Sequence, residues 1–194
     1  MFVVGGEINA GIPENAELFE RWDEEAIVGM AKRQIEYGAE MIGINLGGRI
    51  REKEEMRRIV ELIQSVCHVP LSFDTPDFEV FEAGLDAYRD DWGPALLNST
   101  TAEPGHLKAS CRLAAEQGMR LVALPTDGVG TEAAPEEKLE KAKYIVAEAQ
   151  RCGLPASDLF LDPMLHPVSV GETAGITFLK TLRLIQQEVP DVRT

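Results

Sequence analysis

The sequence predicts an α/β protein with parallel strands, a TIM-type (βα)8 barrel of which this chain carries about six βα units. Three observations lead there. Short apolar runs alternate strictly with amphipathic helical segments, and those runs are continuously apolar, as in strands covered on both faces. Asn or Asp also closes each run, at Asn9, Asn45, Asp74, Asn98, Asp127 and Asp162. These positions recur at roughly 31-residue intervals, the size of one βα unit. A doubly wound sheet is the alternative, but its first turn carries GxGxxG at a helix start. Gly5-Gly6-Glu7-Ile8-Asn9 lacks that spacing and sits on a strand. Eight units take about 250 residues. The 194 residues are therefore expected to form one domain, 1–194, that stops before a seventh strand. Such an open sheet exposes parallel edges, which predicts self-association as a homodimer.

Each element has its own signal. Phe2 to Ile8 is the first apolar run, followed by a Gly/Pro loop. Trp22 to Tyr37 carries Ile27, Met30, Ala31 and Ile35 at helical spacing and is closed by Gly38. Met41 to Asn45 is the second strand, and Glu52 to Val66 a helix with Met56, Ile59, Val60 and Ile63 on one face. Val69 to Asp74 precedes a helix expected to be opened by Thr75-Pro76 as cap and first turn. Ala95 to Asn98 leads to a helix around His106 to Gln117, and Leu121 to Leu124 to a long helix from Pro135 to Arg151. Leu159 to Asp162 is the sixth strand, and a helix from Thr173 to Glu188 ends at Pro190.

Composition narrows the function. Hydrophobic residues make up 44% and charged residues 27%, which excludes intrinsic disorder as the main state. No apolar run approaches the ~20 residues of a bilayer crossing, and no basic segment precedes a long apolar one. A cytoplasmic protein without membrane attachment is expected. Cys67, Cys111 and Cys152 are widely spaced and odd in number, which suggests neither a disulfide framework nor a CxxC metal site. The formal charge of −14 opposes nucleic acid.

The polar strand ends are the main functional signal. In barrels the C-terminal rim of the strands carries the chemistry. Asn offers a donor and an acceptor, and an ionised Asp accepts only. That mixture suits a flat polar heterocycle, since a carboxylate accepts two parallel N–H bonds from an aminopyrimidinone edge. Each such residue is also a natural turn or cap former, which is its structural alternative. A third reading places a divalent cation among Asp74, Asp127 and Asp162, should the fold gather them.

The motifs then become specific. They are Val3-Val4-Gly5 followed by Ile8-Asn9, Gly38-Ala39 with Ile44-Asn45-Leu46-Gly47, Leu71-Ser72-Phe73-Asp74-Thr75, Leu97-Asn98-Ser99-Thr100, and Asp158-Leu159-Phe160-Leu161-Asp162-Pro163. In order and spacing they resemble the pterin-binding methyltransferase family, whose fold is that of dihydropteroate synthase. The resemblance implies a methyltransferase that moves the N5-methyl group of methyltetrahydrofolate to a corrinoid protein, the cobalamin being carried by that partner. It implies that Asp74, Asn98 and Asp162 hold the pterin ring, with Asn45 nearby, Asp127 at the fifth strand's mouth and Asn9 at the first. It also implies catalytic roles for Asn98 and Asp74, through hydrogen bonds that strengthen as N5 gains its proton. No metal is implied in this subunit. A non-catalytic pterin-binding module or fragment and a dihydropteroate synthase-like enzyme are the alternatives. The first-loop pattern Asn-Val-Thr-Pro-Asp-Ser-Phe of the synthases is replaced here by Asn9-Ala10-Gly11-Ile12-Pro13. The chain departs from the methyltransferase pattern at Gly5-Gly6-Glu7, where Gly-Glu-Arg or Gly-Glu-Lys is usual, and at Gly43, where Asp is usual.

Other signals carry less. Cys67 and His68 are neighbours, expected on opposite faces. His106 is expected as a solvated side chain in a first helical turn, and His166 lies nearer the mouth. Gly128-Val129-Gly130 reads as a flexible loop. Arg49 reads as an exposed loop arginine, with pairing to a folate glutamate tail as its alternative. Glu52 to Glu55 and Glu136 to Lys143 read as solvated helix faces.

Overall fold

The computed structural model describes residues 2–47, 52–128, 133–167, 169, 171, 173–189 and 191–194. Arg49, Val129 and Gly130 lie outside the described residues. The chain divides into two compact units, Met1–Asn98 and Ser99–Thr194. All strand pairs described are parallel.

The first unit contains β1 (Val4–Asn9), α1 (Pro13–Arg21), α2 (Glu24–Glu36), β2 (Met41–Asn45), α3 (Glu52–Gln64), β3 (Leu71–Asp74) and α4 (Phe78–Ala87), then the start of β4 (Leu96–Thr100). The strands lie in chain order. Register sets Asn9 beside Asn45 and Asp74 beside Asn98. Met41, Ile42, Ile44, Leu71, Ser72 and Phe73 are all buried, so both faces of these strands are covered, although β3 itself alternates apolar and polar residues. Phe73 lies edge-on to Phe81 and Tyr88, with ring centroids 5.4 and 5.9 Å away. Gly84 of α4 admits α3 closely: a Cβ there would sit 2.8 Å from Met56 Cγ.

Two segments of the first unit differ from what the sequence predicts. The segment expected as a Gly/Pro loop holds α1, a nine-residue helix with Pro13 in its first turn and Phe19 buried. Its Ile12 N-cap makes no side-chain hydrogen bond, so no capping signature announces it. It stops at Trp22, whose φ of 54° is left-handed and whose ring lies under the Arg58 guanidinium at 4.3 Å. The cap of α4 is Asp77 rather than Thr75: its carboxylate accepts from Glu79 N at 2.8 Å. The Thr75 hydroxyl instead accepts from Asp77 N, too early in the chain to cap the helix.

In the second unit, Leu124 N donates to Thr100 O at 2.8 Å, joining the end of β4 to the segment after β5 (Arg120–Ala123). β5 pairs with β6 (Leu159–Leu161). Outside them are α5 (Pro104–Glu116), α6 (Pro135–Arg151) and α7 (Ala174–Glu188). After α7 the chain returns to β6: Arg193 bridges Phe160 in parallel, donating to Leu159 O at 3.1 Å and accepting from Leu161 N at 2.8 Å. Arg193 thus takes the place beside β6 where a further strand would pair. Among the described residues, no helix is long and apolar enough to cross a membrane.

The cysteines differ in accessibility. Cys67 and Cys111 are buried, and burial pushes the Cys111 thiol up to about 12. Cys152 is only partly buried, though burial raises it too. Iodoacetamide on the native protein is therefore expected to label Cys152 first, with Cys67 and Cys111 reacting only on unfolding. Peptide mass spectrometry with and without urea checks this, and rapid native labelling of Cys111 would contradict it.

Candidate functional site

The orientation of β3 defines the site. Phe73 faces the rings of α4, so Ser72 and Asp74 point to the opposite face of the sheet. Register carries that assignment to Gly43 and Asn45 on β2 and to Leu96 and Asn98 on β4. The C-terminal ends of the first unit's strands therefore present Asn9, Asn45, Asp74 and Asn98 as a row, all partly exposed. Asn45 Nδ2 donates to Asp74 Oδ2 at 2.9 Å, which fixes the carboxylate and leaves Oδ1 without a protein partner among the described residues. The Asn98 carboxamide likewise makes no hydrogen bond among the described residues. Ser72, two residues below Asp74 and fully buried, holds a hydroxyl with no partner there either.

Three of the six expected residues also serve as turn formers. Asn9 Oδ1 accepts from Gly11 N, Asn45 Oδ1 from Gly47 N and Asp162 Oδ1 from Met164 N, each at 2.8 Å. The structural and ligand readings therefore coexist in Asn45, whose oxygen holds the turn while its nitrogen holds Asp74. In the second unit Asp162 is exposed just beyond β6, and its turn carries Met164 at a φ of 57°. Asp127 lies beyond the end of β5, is exposed, and pairs with Lys141 Nζ at 2.7 Å. That bond holds the Lys141 ammonium above its ordinary pKa, with Glu137 adding to it. The strands thus end less uniformly than the sequence suggests: β4 runs two residues past Asn98, and β5 stops four short of Asp127.

The departures at Gly5-Gly6 and Gly43 form one structural feature. Between Gly5 and Ile8 the register with β2 slips by a residue, which is a β-bulge. The bulged Glu7 N–H is satisfied by Gln34 Oε1 at 2.7 Å, and a Cβ on Gly5 would lie 2.6 Å from that same oxygen. A Cβ on Gly43 would lie 3.2 Å from Gly5 O. A side chain at 43 would crowd the main chain of β1, which would have to give by a few tenths of an ångström. Asn15, which the sequence does not single out, supports the same strand by donating to Glu7 O at 2.8 Å and Asn9 O at 3.2 Å.

Two charged or polar residues differ from expectation. Lys138, read as part of a solvated face, is 3% exposed, and its Nζ donates to Pro163 O at 2.7 Å, directly after Asp162. A buried ammonium needs such partners, and a local charge pattern on α6 does not reveal a partner 25 residues away. His106 is partly buried rather than solvated, with Nδ1 2.9 Å from the hydroxyl of Thr100 at the end of β4. His68 is exposed and Cys67 buried, both in the segment between α3 and β3 rather than on a strand. The Nε2 of His166 is buried without a partner among the described residues. Also among the described residues, no group of three His, Cys, Asp or Glu side chains is placed to hold a metal ion.

Parallel strands, helices between them and polar side chains at the strands' C-terminal ends define a barrel-class scaffold of the kind that binds ligands at that rim. A family described as pterin binding enzyme matches residues 16–190. The chain belongs to that family. It is 27% identical over 195 aligned residues to the methylcorrinoid:tetrahydrofolate methyltransferase of Eubacterium limosum, covering 99% of this chain and 71% of that protein. The dihydropteroate synthase of Xanthomonas albilineans in complex with 7,8-dihydropteroate superimposes with a TM-score of 0.60 at 21% identity, over 97% of this chain and 66% of that one. The same enzyme with 4-aminobenzoic acid gives 0.67 at 22% identity, over 96% of this chain and 68% of that one. These structures establish the (βα)8-barrel fold, of which this chain carries six strand-and-helix units, and the chain spans about two thirds of their length.

Proposed function

We propose that the chain binds a reduced folate through its pterin ring and takes part in methyl transfer between N5 of that folate and the cobalt of a corrinoid protein. The observation that carries the reading is the Asn45–Asp74 pair beside Asn98. A carboxylate already oriented by an amide keeps an open oxygen, next to a carboxamide with free donors and acceptors. Asp74 would accept N–H bonds from the amino-pyrimidinone edge, and Asn98 would donate to or accept from a ring nitrogen or oxygen. Asp162, Asn45, Asp127 and Asn9 are further ring or rim contacts in this reading, and Asp127 would first have to part from Lys141.

The name of the Eubacterium limosum relative supports methyl transfer with methylcorrinoid as donor and tetrahydrofolate as acceptor. The reverse transfer uses the same residues, because one transition state serves both directions. Toward tetrahydrofolate, N5 loses a proton as it takes the methyl group; toward the corrinoid, N5 gains a proton as it releases it. Asn98 and Asp74, accepting hydrogen bonds directly or through the network around the ring, favour the N5-protonated form and so assist release. The corrinoid arrives on a partner protein and the folate is a substrate, so neither is a resident group of this chain. A homodimer in the cytoplasm is the proposed setting.

Calorimetric titration with methyltetrahydrofolate tests binding, with Asn98→Ala as the variant and circular dichroism as the folding control. Saturable binding weakened about tenfold or more by Asn98→Ala is expected. A folded chain that takes up no folate would overturn the reading. Incubation with tetrahydrofolate and free methylcobalamin, followed by absorbance, then separates a transferase from a binding module: binding without loss of methylcobalamin favours the module.

A further inference from the structure

The ends of β3 and β4 opposite Asp74 and Asn98 border a second site. An open-sided groove of about 600 Å³ lies among the C-terminus of α3, the segment before β3 and the turn after α4. Glu61, Gln64, His68, Arg89, Asp91 and Trp92 line it. Its volume is within the range of small-molecule sites, about 300–1,000 Å³.

Arg89 is built into position. The buried Gln64 side chain clamps its main chain at two points, donating to Arg89 O at 2.7 Å and accepting from Arg89 N at 3.0 Å. The guanidinium donates through Nη2 to Gln64 O, a carbonyl at the end of α3, and lies 5.3 Å from the centre of the Trp92 ring. The His68 ring stacks on Trp92 at 4.8 Å and 13°. In a chain of formal charge −14, Arg21, Arg33, Arg57, Arg58, Arg112 and Arg151 form salt bridges, whereas Arg89, like Arg183 and Arg193, forms none among the described residues. Its remaining N–H donors stay available to the groove, in the forked geometry that suits a carboxylate.

The same groove carries two exposed carboxylates, Glu61 and Asp91. They and the acidic surface disfavour a ligand with net negative charge. A ligand with one carboxylate and one ammonium satisfies both signs at once. We propose that this groove binds a free amino acid: its carboxylate on Arg89, its ammonium toward Glu61 and Asp91, and its side chain against the His68–Trp92 stack. The site is separate from the folate reading and stands or falls without it.

Calorimetry of the whole chain with each of the twenty free amino acids tests this, followed by Trp92 fluorescence in a Trp22→Phe background to place the binding. Saturable binding of at least one amino acid is expected, weakened about tenfold or more by Arg89→Gln. Glu61→Gln should also weaken it. Arg89→Gln leaves the main-chain clamp by Gln64 in place, and Glu61 is exposed, so both variants are expected to fold, which circular dichroism checks. The amide and the N-acetyl form of the same amino acid should bind at least tenfold more weakly, since each lacks one charge. Binding of none of the twenty would overturn the proposal. So would binding unchanged by Arg89→Gln, equal binding of a blocked form as at a peptide end, or occupation of the groove by inorganic phosphate in preference.

Discussion

Phe73→Ala is expected to cost the first unit about 3–5 kcal/mol, the range for truncating a fully buried phenylalanine. Phe73 is 0% exposed and supports α4 through edge-on contacts with Phe81 and Tyr88. Its ring also lies 3.4 Å from where a Cβ on Gly84 would stand, so the cavity opens beside the contact of α4 with Met56 of α3. Total stabilities of about 5–15 kcal/mol make such a loss a large fraction of the whole. Urea unfolding followed by circular dichroism should show a much lower midpoint with little change in slope. Phe73→Leu, which refills most of the volume, should recover more than half the loss. An alanine variant that unfolds like the wild type would show that β3 and α4 do not pack as described.

Asp74→Ala is expected to weaken methyltetrahydrofolate binding by about tenfold or more, the effect of losing charge-assisted hydrogen bonds worth about 1.5–3 kcal/mol. The side chain is partly exposed at the end of its strand, so its removal costs the fold little. Its one protein partner among the described residues is Asn45 Nδ2, at 2.9 Å. Asn45→Ala is the informative companion: it leaves the carboxylate present but unoriented, and should weaken binding less than Asp74→Ala does. Titration calorimetry ranks the three proteins. Equal affinity in wild type and Asp74→Ala would remove Asp74 from the proposed site.

Much of this arrangement is legible in the sequence because it rests on local composition. Short strand segments such as Met41-Ile42 and Leu71 to Phe73 are buried on both faces, and Gly38 follows α2 at a φ of 96° where only glycine is comfortable. What is not legible depends on partners distant in the chain. Lys138 looks like its neighbours on α6 until Pro163 O is placed beside it. The Asx residues look alike along the chain and differ in what they hold. Asp74 is held by another strand, Asn9 and Asp162 hold their own turns, and Asp127 is held by Lys141. α1 escapes notice because its start lacks a capping side chain. The motifs around Asn45, Asp74, Asn98 and Asp162 nevertheless point to the family to which the chain belongs.

The slip in β1 has a consequence for how the protein tolerates changes of length. The alternation of inward and outward side chains runs in one phase through Val4 and Gly5 and in another through Ile8 and Asn9. Gly6, around which a Cβ would meet nothing within 4 Å, lies at the junction. Deleting Gly6 would merge the two phases and still leave Ile8 opposite Ile44 and Asn9 opposite Asn45. Deleting one residue from the evenly paired Met41–Asn45 has no such outlet, since it transposes every side chain on one side of the cut. The first strand can thus absorb the loss of a residue that the second cannot.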